Sequence, residues 1–144
     1  MRPRVFDTST FILAIRGRLE TDTILRPLTV GQGYLSAVVA HELWAGTRNR
    51  EDADALALLL RGFERLGAVL TPTYQDWILA GRLVEQYQRL YGQIKPAEHA
   101  NDVLIVLSAA QVRGVVVTAN LRQMEHWARL ARRSGHQVRV EAVA

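Results

Sequence analysis

Three acidic residues stand where a carboxylate is awkward on structural grounds alone. Asp7 closes the short strand Arg4-Val5-Phe6, at the carboxyl end where open α/β sheets place their ligands. Glu42 falls beside Val38 and Val39, on or at the edge of a buried helical face, where a lone ionised group is costly. Asp102 stands near the start of a helix that is almost wholly apolar from there on. Each has an ordinary alternative: Asp7 caps a helix, Glu42 lies on an exposed edge, Asp102 complements a first turn. The recurrence of one placement three times favours a shared crevice. Carboxylates gathered there would repel one another and hold their protons more tightly. A hard divalent cation such as Mg²⁺ or Mn²⁺ relieves that repulsion with oxygen ligands. It can also deprotonate water and neutralise charge at a phosphoryl group. A hydrolytic nuclease follows from this chemistry, though not uniquely. On that premise Asn or Gln at these positions removes repulsion and leaves the fold no less stable.

The elements that must carry these acids alternate between strand and helix. Thr8, Ser9 and Thr10 are expected to cap a helix containing Phe11, Ile12 and Ile15, and Gly17 to Thr29 reads as a broken helix and loop around Pro27. Gly33 to Ser36 is a second strand, with Ser36 capping the helix of Val38, Val39, Leu43 and Gly46. Glu51 to Arg65 is amphipathic, with Leu56, Leu59, Leu60 and Phe63 inward. Ala68 to Leu70 is a short strand. Thr73 and Asp76 then form a capping box for a helix from Tyr74 to Tyr91 that buries Trp77, Ala80, Gly81, Val84 and Tyr91. Ala80 and Gly81 leave room for a second helix. Val103, Leu104, Val106, Leu107 and Ala110 make a wide apolar face, Gly114 supplies the left-handed stop, and Val115 to Val117 is a strand buried on both sides. Met124, Trp127, Ala128 and Ala131 form the last helical stripe, and Gln137 to Val140 an edge strand. Arg129, Arg132 and Arg133 read as a solvated helix end. The alternation predicts a doubly wound parallel sheet in a single domain over residues 1–144.

Composition narrows the choices further. There is no cysteine, which excludes disulfides, thiol nucleophiles and thiolate metal sites. His41 reads as a surface residue, and His99, His126 and His136 form no metal-ligand spacing with it. No run of eighteen apolar residues is present, and the amino terminus leads directly into a strand rather than a signal peptide; with no cysteine, a cytoplasmic protein is expected. A formal charge of +4 suits a polyanionic partner. Lys95 is the only lysine; the arginine bias fits phosphate contacts and equally a GC-rich genome.

Four motifs in order, Phe6-Asp7-Thr8-Ser9, Ser36 to Gly46, Asn101-Asp102-Val103-Leu104-Ile105 and Val117-Thr118-Ala119-Asn120, resemble those of the PIN domain, most closely the VapC-type toxin ribonucleases of bacterial toxin–antitoxin pairs. Thr71 to Trp77, with Ala80 and Gly81, resembles the linking helix of one branch. The resemblance implies a three-layer α/β/α fold with a central, mainly parallel sheet of four or five strands. It also implies Mg²⁺- or Mn²⁺-dependent cleavage of RNA, a homodimer, and inhibition by a small antitoxin. By position, Asp7, Glu42 and Asp102 would be the metal ligands and catalytic acids, with Ser9, Thr118 and Asn120 as polar supports.

The chain departs from that pattern at one place. Similar proteins carry Asp followed by Phe three residues past the Asn, where this chain has Gln123 and Met124. Gln123 can bond a metal-bound water but brings no charge. Glu125 lies about 200° around the helix from it. Glu98, one turn before Asp102, is the better substitute for a fourth acid. Weakened nuclease activity, or a non-catalytic PIN-like binding module that keeps the fold and the partner, is the alternative. A response-regulator receiver would need a lysine after a late strand, where Lys95 does not fall. A haloacid-dehalogenase-type phosphatase would need Asp where Ser9 stands.

Overall fold

The computed structural model describes residues 1–143. Its elements run β1 (Arg4–Phe6), α1 (Thr8–Ile15), α2 (Asp22–Thr29), β2 (Gly33–Ser36), α3 (Ala37–Ala45) and α4 (Arg50–Arg65). They continue with β3 (Val69–Leu70), α5 (Tyr74–Tyr91), α6 (Pro96–Gln111), β4 (Val115–Thr118), α7 (Leu121–Arg133) and β5 (Arg139–Ala142). The strands form one sheet in the order β3-β2-β1-β4-β5, and every pairing is parallel. Successive residues of a strand face opposite sides. Val5 and Phe6 are both buried, as are all four residues of β4, so helices cover the central strands on both faces. This is the expected three-layer α/β/α fold with five strands.

The order places β1 and β4 side by side although more than a hundred residues separate them in the chain. From β1 the chain winds outward through β2 to β3, and from β4 outward to β5. The winding changes direction between β1 and β4, where a crevice opens at the carboxyl ends of such strands. Asp7 and Thr118 both lie there.

Several local expectations need correction. The cap of α1 is Asp7 itself, not the hydroxyl residues after it: Thr10 N donates to Asp7 Oδ1. Residues 22–29 form the continuous helix α2, with Pro27 in its last turn packed inward beside Ile24 and Leu28. Because α2 lies against β2, a Cβ on Gly33 would meet Leu28 N at 2.6 Å. Asp102 is not in a first turn, since α6 begins at Pro96. The left-handed residue after α6 is Arg113, at φ 51°; Gly114 is needed because a Cβ there would meet Pro3 O at 2.7 Å. On α5 the inward stripe is Asp76, Ala80, Leu83 and Val84. Trp77 and Tyr91 are more than half exposed, and nothing lies within 4 Å of a Cβ built on Gly81. The final strand is Arg139–Ala142, two residues later than expected, and pairs only with β4. The Ser36 cap of α3 and the Thr73–Asp76 capping box are present as anticipated.

Candidate active site

Asp7 lies at the centre of the crevice, 3% exposed. Its Oδ1 accepts from Ser9 Oγ at 2.6 Å and from Thr10 N at 3.1 Å, while Thr10 Oγ1, also 3.1 Å away, has its one proton closer to Val117 O at 2.8 Å. Its Oδ2 accepts from Thr118 Oγ1, 2.5 Å away across the β1–β4 junction. The carboxylate is thus held by the amino end of α1 on one side and by β4 on the other. Ser9 Oγ in turn accepts from Ala119 N at 3.0 Å, and Thr118 Oγ1 accepts from Asn120 N at 2.8 Å. Asn120 precedes α7 with its side chain exposed and capping nothing.

Glu42 projects from the second turn of α3. Thr8 Oγ1 donates to its Oε1 at 2.6 Å and Asn101 Nδ2 to its Oε2 at 3.3 Å. One carboxylate therefore joins α1, α3 and α6. Asp102 follows Asn101 on α6, and its pKa is pushed up from 3.8 to about 6. Burial is the largest cause, followed by the negative charges of Glu42 and then Asp7, against an opposing contribution from His99. The three acids come from distant parts of the chain, yet their fields overlap at Asp102.

The remaining candidates divide. Ser9 and Thr118 contact Asp7. Gln123, half-buried on α7, has its Nε2 3.2 Å from His99 Nδ1 rather than against an acid. Glu98 is on the exposed rim of α6, 3.9 Å from Lys95 Nζ, and is not among the charges acting on Asp102. Thr8, Thr10, Asn101 and His99 are the residues that sequence reasoning missed. A cleft of about 290 Å³ opens beside Glu42 between α1, α3 and α4, with Arg16 and Arg48 on its walls.

All three acids offer hard oxygen donors, the set that suits Mg²⁺ or Mn²⁺. With Asp7 and Glu42 turned onto hydroxyl and amide donors, no three His, Asp or Glu side chains among the described residues stand at ligand spacing as they lie. The chemistry of the donor set, carboxylate oxygens held by hydroxyl and amide groups, fits such an ion.

The family model described as PIN domain matches residues 4–132 of the chain. No curated protein matches it. Among solved structures, it is similar to a chain of the DNA-bound VapBC from Salmonella typhimurium, with 24% identity, 99% of this chain and 98% of that one covered, and a TM-score of 0.66. It is also similar to a chain of VapBC2 from Rickettsia felis bound to a promoter DNA fragment, at 18% identity, 98% coverage of both chains and a TM-score of 0.71. A third likeness is to VapBC-1 from nontypeable Haemophilus influenzae, at 19% identity, 96% coverage of both chains and a TM-score of 0.66. At these identities the likenesses show a shared fold.

Proposed function

The chain belongs to the PIN domain family, and from that premise we propose that it is a Mg²⁺- or Mn²⁺-dependent endoribonuclease, the toxin of a toxin–antitoxin pair. The observation that carries this is the raised pKa of Asp102, caused after burial by Glu42 and Asp7. It supports three acids sharing one crevice at the point where the sheet reverses its winding. Asp7, Glu42 and Asp102 would hold the ion, which when bound supplies Lewis acidity and an acidified water for phosphodiester hydrolysis. The chain's own groups do the positioning. Ser9, the Thr10 amide and Thr118 fix the Asp7 carboxylate, Thr8 and Asn101 hold Glu42, and the exposed Asn120 amide is free to bond a phosphate oxygen or a sugar hydroxyl. Gln123 orients His99 rather than adding charge.

The test is cleavage of purified RNA in Mn²⁺ against chelator. Asp7→Asn, Glu42→Gln and Asp102→Asn should each lower the rate at least about 100-fold, the scale on which single electrostatic contributors to catalysis act. If all three cut at the parent rate, the acids are not the site. The second proposal, a PIN-like binding module without turnover, is favoured by the outward Glu98 and the Gln123–His99 contact, which leave no fourth acid on the crevice. It predicts metal-independent RNA binding and no cleavage by the parent.

The proposed partner is a small antitoxin seated over the crevice and the cleft beside Glu42. Because Asp7 already accepts from Ser9, the Thr10 amide and Thr118, a basic side chain from the partner would pair with Glu42 or Asp102. Co-expression with an adjacent small reading frame should yield a complex through a tag on one subunit, and failure to recover it at low salt counts against the pairing. Homodimerisation and cytoplasmic location belong to the same proposal; among the described residues no helix is long and apolar enough to cross a membrane.

A further inference from the structure

Five aromatic rings from three helices gather in one cluster. Tyr87 and Tyr91 come from α5, His99 from α6, and His126 and Trp127 from α7. Tyr87 lies 4.9 Å from Tyr91 and 5.0 Å from Trp127, ring centre to ring centre. His126 stands edge-on to both tyrosines at 6.1 and 6.0 Å. Trp127 is wholly buried and forms the floor of the cluster. Tyr91, the last residue of α5, is 55% exposed. His99 links the cluster to the acids: it is 5.8 Å from Trp127, contacts Gln123, and acts on the charge of Asp102. Core packing accounts for Trp127 and for much of Tyr87. It does not account for a tyrosine that keeps more than half its surface in water within that cluster.

A second observation lies on α7. Arg122, His126, Arg129 and Arg133 follow one another at spacings of four, three and four residues, which sets them on a single helix face. The row is about 16 Å long. All three arginines are exposed, and among the described residues none is in an ion pair. Arg132 differs, being held by Glu125 and by the Val138 carbonyl. The carboxyl-terminal basic cluster is therefore two things: one tethered arginine, and the lower part of a free cationic stripe that passes His126 on its way up toward Gln123 and the acid crevice.

We propose that this face binds the unpaired stretch of RNA that flanks the cleavage position, one base stacking on Tyr91 against His126 and the phosphates following the α7 arginines. One exposed ring, Tyr91, backed by half-buried ones and set beside unpaired arginines, suits a single strand, because its bases present open π faces and its backbone a line of charge. A duplex hides those faces. The inference rests on the ribonuclease proposal and adds to it where the strand lies and which conformation of RNA is accepted.

A short unpaired RNA carrying 2-aminopurine, titrated with the full chain in chelator, reads binding without cleavage. Tyr91→Ala should weaken binding about 5- to 50-fold, within the range for one stacked base, and abolish the quenching of 2-aminopurine. Tyr91→Phe should retain both. Replacing Arg122, Arg129 and Arg133 together by Gln should reduce the slope of log affinity against log salt by about 2. Because Tyr91 is at a helix end and exposed, its variants should melt with the parent. The inference is overturned if Tyr91→Ala binds and quenches as the parent does, or if the matching duplex binds equally well. A poly-glutamate peptide whose binding depends on Tyr91 as strongly would also overturn it, assigning the face to an acidic protein segment. Each of these leaves metal-dependent cleavage by the parent intact, whereas a parent that binds no RNA and cuts none overturns the ribonuclease proposal as well.

Discussion

The carboxyl of Asp102 holds its proton up to about pH 6 in the folded chain against 3.8 ordinarily, and this gives its folding a definite pH dependence. Between those values the folded state binds more protons than the unfolded one, so stability falls as pH rises through the window and the full penalty is present above it. Asp102→Asn removes the penalty. It should raise the stability of the metal-free protein at pH 7.5 by roughly 1–2 kcal/mol, the shift being discounted for the solvent that still reaches a half-buried group. The gain should shrink toward zero near pH 4. A gain independent of pH would show that the ionised, buried carboxyl of Asp102 is not its source. Asp7→Asn should behave oppositely, contrary to the expectation that neutral isosteres are harmless at all three positions. Both oxygens of Asp7 accept hydrogen bonds, from Ser9 and the Thr10 amide on one and Thr118 on the other, and an amide cannot accept them all, so a loss of about 1–3 kcal/mol is expected. Thermal melts of both variants between pH 4 and 8 check the pair. The acids themselves were legible because a carboxylate in an apolar pattern stands out. Their donors were not: Thr8 and Thr10 look like ordinary first-turn hydroxyls, and Asn101 declares nothing until α6 is set against α3.

At the scale of elements, what could be read depended on whether a pattern had one phase. The apolar stretch of α6 and the valines of β4 are buried however they are rotated, so both were placed correctly. Helix α5 carries large apolar residues all around, so Ala80 and Val84 are inward as expected, whereas Trp77, Gly81 and Tyr91 face out and Leu83 takes the place beside Val84. Glycine is similarly ambiguous in sequence, and the structure separates two cases. A Cβ at Gly114 would stand 2.7 Å from the Pro3 carbonyl oxygen, a backbone atom that cannot rotate away. Gly114→Ala should therefore cost about 1–3 kcal/mol, as overpacking does. Gly81 is an exposed position inside a helix with nothing within 4 Å of its Cβ, so Gly81→Ala should add about 0.8–1 kcal/mol from propensity alone. Equilibrium denaturation of the two variants gives the sign of each. A destabilising Gly81→Ala would mean that another surface does rest on α5, as the small-residue pair first suggested.

For the whole molecule, the alternation of strands and helices predicted a parallel sheet, but no sequence pattern stated that β1 and β4 are neighbours. That adjacency brings Asp7 and Thr118 together across 111 residues, and α6 lying against α3 brings Asn101 to Glu42 across 59. A cation held by Asp7, Glu42 and Asp102 would tie β1, α3 and α6 to one another, so its binding should be felt in the cooperative unfolding of the entire chain. Mn²⁺ at about 100 times its dissociation constant should add about 2.7 kcal/mol, a rise in Tm of roughly 5–10 °C for a domain of this size. Asp102→Asn should melt higher than the parent without metal and lose most of the increment with it. Gln123→Asp and Glu98→Gln then decide where a fourth charge acts. Gln123 contacts His99, whose charge acts on Asp102, whereas Glu98 sits on the rim beside Lys95. Gln123→Asp should consequently tighten Mn²⁺ binding, and Glu98→Gln should leave it nearly unchanged. Calorimetric titration and melting curves of the four proteins test this together. An Mn²⁺ increment that survives Asp102→Asn undiminished would place the ion elsewhere, and a loss of binding in Glu98→Gln would make the rim acid, not position 123, the missing ligand.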